Sequence, residues 1–246
     1  MIKELYRTED EYGSIVVTEQ DNKRILNFAS DYQQSSVLTN KPYFLVHEYT
    51  QIMLLGLIFT EPKNITLLGV GGGGLVQCLN HYYPELKINA VELRKKVIDI
   101  AYKWFCFPEH KNVNVICADA NQYIKQSKSE TADLILSDLY DAQGMSDVQA
   151  QTDFIFHCYR HLNANGWMVI NFHTLPKTGS ALMGTIQSKF SSVYVCDVFK
   201  GNWILFCGKE KSCFNQLALK RRVKEMANIT ELPLMYYFKQ LREIHS

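Results

Sequence analysis

Glu92, Asp119, Asp138 and Asp141 are the residues most able to do chemistry here, because each stands at or just beyond the end of a short apolar run. The runs are "INAVEL" (88–93), "VNVICA" (113–118) and "DLILSD" (133–138), the last continuing into "SDLYDAQG" (137–144). An earlier run, "ITLLGV" (65–70), contains Gly69 and leads into Gly71, Gly72, Gly73 and Gly74. Glycines at such a place let a ligand approach the main chain, and a helix opening behind them offers unpaired N–H groups. Glu92 follows Gly71 at the spacing where an acidic side chain accepts hydrogen bonds from both hydroxyls of a ribose. Asp119, one strand further, can reach adenine. Packing alone could also require the glycines, and an acid at a strand end also serves as a helix cap.

Asp138 and Asp141 suggest a second task. Two neighbouring carboxylates cannot both ionise cheaply in a closed site, and together they attract a cation. A primary amine has a pKa near ~10.4, so exposing its lone pair at neutral pH costs roughly 4–5 kcal/mol. A buried acceptor that first binds the ammonium and then takes its proton meets that cost. The plainer alternative is one capping and one solvated carboxylate.

These residues need a scaffold that brings strand ends together. The strand candidates 65–70, 88–93, 113–118, 133–138 and 166–172 alternate with helical segments at 74–83, 95–106, 120–127 and 148–163. That alternation predicts an α/β fold, a Rossmann-like doubly wound and mainly parallel sheet. In front, "SIVVTE" (14–19) and "RILNFA" (24–29) around Asp21-Asn22 predict a small antiparallel β-domain over residues 1–40, leaving 41–246 as the nucleoside-binding catalytic domain. Residues 42–60 carry helical periodicity behind Pro42. Behind the main sheet, 193–199 and 202–208 flank a tight turn and predict a hairpin, and two helices follow Ser212.

Composition removes other classes. A net charge of +1 gives no field for nucleic acid or a membrane surface, and the apolar run Ile52–Phe59 is too short to span a bilayer. The seven cysteines are dispersed without a CxxC or a metal-ligand cluster, which predicts reduced thiols, a cytoplasmic protein and no metal. The opening "MIKELYRTEDEYG" lacks the apolar core of a signal peptide.

Taken in order, Gln34, "HE" at His47-Glu48, the glycine loop 69–74, Glu92, Asp119, "SDLYDAQG" and the "LP" helix at 232–244 resemble the polyamine aminopropyltransferases, the spermidine synthase family. The last loop is similar to that family's D-x-x-D-P-x-G signature. The resemblance implies a class I methyltransferase-like core holding decarboxylated S-adenosylmethionine, whose aminopropyl group passes to an amine in polyamine biosynthesis. It implies Glu92 on the ribose, Asp119 with Ala120 at the adenine, and Gly69, Gly71 and Gly73 along the nucleoside. It further implies Gln34 and His47 on the nucleoside and aminopropyl side, Asp138 as general base and Asp141 as ammonium anchor. A homodimer is implied by analogy.

Four departures bear on the reaction. The family loop reads G-G-G-D-G-G, and its aspartate, which binds the donor's amine, is here Gly72. Its tyrosine before "HE" is Val46, with Tyr43 or Phe44 as possible replacements, and its glutamine after the fifth strand is not evident in "NFHTLPKTG" (171–179). The loop closing the amine pocket is cut to Lys200-Gly201-Asn202. Without the aspartate, the loop no longer repels the carboxylate of intact S-adenosylmethionine. A methyltransferase on the same scaffold, or a non-catalytic nucleoside-binding protein, therefore stays open beside the aminopropyltransferase.

Overall fold

The computed structural model describes residues 2–28, 33–127, 131–199, 201–212 and 214–244, without the side chains of Gln33 and Gln34. Strands β1 (Lys3–Asp10), β2 (Gly13–Gln20), β3 (Lys23–Phe28) and β4 (Gln33–Leu38) form an antiparallel meander in chain order. Asp21 and Asn22 both adopt positive φ, the conformation that a two-residue hairpin between twisted strands demands. Sequence patterning marks only β2 and β3, whose alternation buries Ile15, Val17 and Leu26. The segment "KELYRTED" of β1 has no such alternation because its outer edge pairs with nothing among the described residues and most of its side chains stay in water.

The segment 42–60 is not one helix. Tyr43 stacks on His81 with ring centroids 3.6 Å apart, and Gln51 Nε2 donates to Leu45 O at 2.7 Å. The chain therefore turns before entering α1 (Glu48–Met53) and the short α2 (Gly56–Phe59).

Next come β5 (Asn64–Leu68), α3 (Gly74–Tyr82), β6 (Lys87–Glu92), α4 (Lys95–Trp104), β7 (Val113–Cys117), α5 (Ala120–Gln126) and β8 (Ala132–Ser137). A two-stranded ribbon, β9 (Tyr140–Asp141) with β10 (Gly144–Met145), leads to α6 (Thr152–His161) and β11 (Leu162–Phe172). Then α7 (Ala181–Lys189), β12 (Ser192–Asp197), β13 (Trp203–Gly208), α8 (Gln216–Thr230), α9 (Leu234–Phe238) and β14 (Arg242–Glu243) complete the described fold.

The large sheet has the order β14-β12-β13-β11-β8-β5-β6-β7, with the strands from β11 to β7 parallel and the remainder antiparallel. Strand order reverses between β5 and β8, which is where α/β sheets open a crevice at their carboxyl ends. Apolar cores cover both faces of the sheet: Leu67, Leu134 and Val169 belong to one, Leu68, Ile135 and Ile170 to the other. This is why these strands read as continuous apolar runs. A third core, Ile15, Val17 and Leu26 against Val97, Ile100 and Phe105, seats the N-terminal meander on α4.

Candidate active site

A cavity of about 680 Å³ opens at the carboxyl ends of β5, β6, β8 and β11 and is bordered from the other side by the N-terminal meander and the start of α1. Gly69 continues β5: its N–H donates to Val91 O, and the N–H of Asp138 donates to Leu68 O, both at 2.9 Å. With φ at +87°, a Cβ at Gly69 would stand 2.2 Å from the carbonyl oxygen of Asp138. Only glycine lets the two strand ends lie this close.

Glu92, at the end of β6, is buried and turned back under the loop. Its Oε2 accepts from the N–H groups of Val70 at 3.0 Å and Gly71 at 3.3 Å, and Oε1 from Arg94 N–H at 3.0 Å. Burial raises its pKa, against the pull of these three donors and of the Arg94 charge. A carboxylate has about four lone-pair directions, so one remains for a hydroxyl in the cavity, whose wall Glu92 lines. Arg94 is held in turn: Nε and Nη2 donate to the two oxygens of Asp10 at 3.1 and 2.6 Å, and Nη2 also to Gly13 O at 2.7 Å. This buried ion pair fastens the β1–β2 turn to the floor beside Glu92.

Asp138, one residue beyond β8, is buried on this wall. Burial pushes its pKa up to about 6, while hydrogen bonds from Asn171 and Tyr49 oppose the rise. Asn171 Nδ2 donates to Asp138 Oδ1 at 2.8 Å. Burial, and then the charge of Asp138, hold the Tyr49 phenol well above its ordinary range, so it stays a donor. Asp138 thus titrates near neutrality with both partners in place. Such a carboxylate can take a proton from a cationic amine and can bind the cation beforehand.

The other expected residues fall into two groups. His47 stands on the cavity wall, its Nε2 3.0 Å from Ser36 Oγ, and burial, then Lys23, lower its pKa. Asp141 also lines the cavity, at its exposed side on the β9–β10 ribbon, where Oδ1 accepts from Gln143 N–H at 2.8 Å. Gly71 lines it too. Asp119 and Ala120 do not border the cavity; Asp119 caps α5, Oδ1 accepting from Gln122 N–H at 2.8 Å. Gly73 is likewise off the wall, packed against the Phe107 ring. Gln34 lies on β4, but its side chain falls outside the described residues, as does Lys200.

Two polar groups on Asp138 escape sequence reasoning. Tyr49, the second residue after His47, places a phenol on Asp138; Tyr43 faces His81 and Phe44 packs against the core. The carboxamide sought after the fifth strand comes from Asn171, within β11 and almost fully buried. The strand-end rule that singled out Glu92 and Asp138 applies equally to Asn171, whereas nothing in the sequence distinguishes Tyr49 from its aromatic neighbours. At Gly72 the place of a side chain is already filled: an added Cβ would stand 2.8 Å from Phe105 Cδ1 and 2.8 Å from Ser35 Oγ.

Comparison with known proteins bears on the family and the fold. The family model described as "Spermine/spermidine synthase domain" matches residues 44–206. A polyamine aminopropyltransferase of Neisseria meningitidis serogroup A is 32% identical over 182 residues, covering 73% of this chain and 69% of that protein. Among solved structures, a probable spermidine synthase from Corynebacterium glutamicum superposes with a TM-score of 0.75 at 19% identity, over 89% of this chain and 86% of the other. Human methyltransferase-like protein 13 in complex with SAH superposes with a TM-score of 0.65 at 20% identity, over 76% of this chain and 94% of the other. At such identities these two likenesses speak for the fold.

Proposed function

We propose a reaction for a chain that belongs to the spermine/spermidine synthase family: transfer of an aminopropyl group from decarboxylated S-adenosylmethionine to a primary amine. The observation that carries this reading is Asp138, buried on the cavity wall with a pKa near 6 and two neutral hydrogen-bond donors. The amine enters as an ammonium, gives its proton to Asp138, and attacks the aminopropyl carbon next to sulfur. The new C–N bond forms as the C–S bond breaks, and its electron pair neutralises the sulfonium, which leaves as methylthioadenosine. The positive charge passes from sulfur to the newly alkylated nitrogen, which leaves as a secondary ammonium, so the site needs no strong anion at the sulfur.

In this reading Glu92 takes the ribose through its remaining lone pair, with the main chain at Gly69 and Gly71 alongside. His47 borders the aminopropyl arm, and Asp141 anchors the far ammonium of a diamine at the cavity mouth. Asp119, which also caps α5, and Ala120 stand at the adenine end. The chain acts as a homodimer in a reducing, cytoplasmic setting, which suits the six described cysteines, all free thiols. Incubation with putrescine and decarboxylated S-adenosylmethionine should release methylthioadenosine. No release across a series of diamines and triamines overturns the reading.

Gly72 favours a second reading, in which intact S-adenosylmethionine donates a methyl group. Phe105 and Ser35 crowd the position where a carboxylate would select the decarboxylated donor. Calorimetric titration with the two donors separates the readings: tighter binding of the decarboxylated form supports aminopropyl transfer, and tighter binding of the intact form supports methyl transfer.

A further inference from the structure

We infer that Asn202 is a positioning residue that orients the carboxamide of Asn171, and through it the base Asp138; this rests on the aminopropyl-transfer reading above. Asn171 makes two side-chain hydrogen bonds of opposite sense. Its Nδ2 donates to Asp138 Oδ1 at 2.8 Å, and its Oδ1 accepts from Asn202 Nδ2 at 2.8 Å. Its own backbone oxygen is fixed separately by Gln149 Nε2 at 3.1 Å and the Tyr140 hydroxyl at 3.4 Å. The backbone is therefore held, and the remaining freedom is rotation of the amide.

A half-turn of that amide exchanges a donor for an acceptor. With the NH2 group towards Asp138, the ionised carboxylate is stabilised. With the oxygen there, two acceptors face one another and only the protonated acid is tolerated. Asn202 favours the first orientation, because its Nδ2 donates to Asn171 Oδ1 and so leaves the Asn171 NH2 group for Asp138. The turn between β12 and β13 brings it there: Val198 N–H donates to Asn202 O at 2.8 Å, closing the connection on the edge of the cavity. The shortened loop thus does more than open the acceptor side, since it delivers the outermost member of an Asn202–Asn171–Asp138 relay.

Other titratable groups also surround Asp138, and two of them touch the relay: Tyr49 at Asp138 and the Tyr140 hydroxyl at Asn171 O. Tyr49 donates to it from α1, and Tyr140 and Asp141 stand on β9. His173 follows β11, and His47 and Glu92 lie elsewhere on the same wall. None of them bonds Asn202 among the described contacts.

The test is a double-mutant cycle read as the titration midpoint of Asp138. It is followed by carboxyl carbon NMR, with the resonance assigned by its absence in Asp138→Asn, and in parallel by the acid limb of kcat/KM. Asn202→Ala should raise the midpoint by roughly 0.5–1 pH unit, lowering kcat/KM about three- to tenfold on the acid side and little on the alkaline side. Asn171→Ala should raise it at least as far, and the double variant no further than Asn171→Ala alone, since Asn202 acts only through Asn171. A midpoint unmoved in Asn202→Ala, or additive shifts in the double variant, overturns the inference. Should the wild-type protein transfer no aminopropyl group, the functional reading fails by itself, and the NMR midpoints still decide the role of Asn202.

Discussion

Replacing Asp138 by asparagine should abolish turnover and yet stabilise the protein, by an amount that depends on pH. In the unfolded chain an aspartate titrates near ~3.9, whereas burial raises Asp138 to about 6 in the folded state. The native state therefore binds this proton more tightly than the unfolded state does. The stabilisation from that proton is fully present below about pH 4 and is lost as pH rises through the folded value. A displacement of this size corresponds to about 3 kcal/mol, reduced to the extent that water reaches the carboxyl in the cavity. Asparagine keeps an oxygen for Asn171 Nδ2 and for the Tyr49 hydroxyl but carries no charge to desolvate. The stability of Asp138→Asn relative to wild type should be near zero at about pH 4 and rise to about 1–3 kcal/mol at about pH 8. Urea unfolding at a series of pH values measures the difference, and methylthioadenosine release measures the activity. A difference independent of pH, or an asparagine variant less stable than wild type on the alkaline side, refutes the reasoning that Asp138 is a desolvated base.

Other substitutions probe the scaffold around that base. Gly69→Ala drives a methyl group into the Asp138 carbonyl at a positive φ, and should cost more than ~2 kcal/mol in urea unfolding. Asp10→Ala strands the Arg94 guanidinium, which is only 6% exposed, and should lower stability by about 3–5 kcal/mol; a loss under ~1 kcal/mol would mean that Gly13 O and water suffice. Gly72→Asp alone meets Phe105 and Ser35 and should destabilise by about 1–3 kcal/mol. Paired with Phe105→Leu, it should shift donor preference towards the decarboxylated form by roughly 30-fold or more in calorimetry.

Strands β5 and β8 were legible because they are buried on both faces and read as apolar runs, β6 and the edge strand β7 because apolar residues flank Asn89 and Asn114. The observed bounds of β5 to β8 lie within two residues of the expected ones. Glu92, Asp138 and Gly69 followed from the rule that ligands gather at the carboxyl ends of such strands. That rule is blind to the difference between a cavity wall and a cap: Glu92 lines the cavity, whereas Asp119 caps α5. Elements defined by pairing rather than burial were hidden. Strand β1 carries no alternation, and β9 and β10 are two residues each. Asn202 was beyond reach, because its meaning comes from a turn that places it against a residue 31 positions earlier.

The order of the large sheet also bears on how the protein is made. Glycine loop, Glu92 and their mutual hydrogen bonds belong to β5, β6 and the turns beside them, so they can assemble once the chain has emerged past residue 94. Asp138 has no strand on its outer flank until β11 arrives, and Asn171 lacks its amide partner until β13 has paired along it. During synthesis from the amino terminus, the glycine-loop floor is therefore in place about 44 residues before Asp138 emerges and more than a hundred before Asn202 does. A nascent chain stalled between the two stages would carry Glu92 and the glycine loop without the Asn171–Asn202 pair that flanks Asp138.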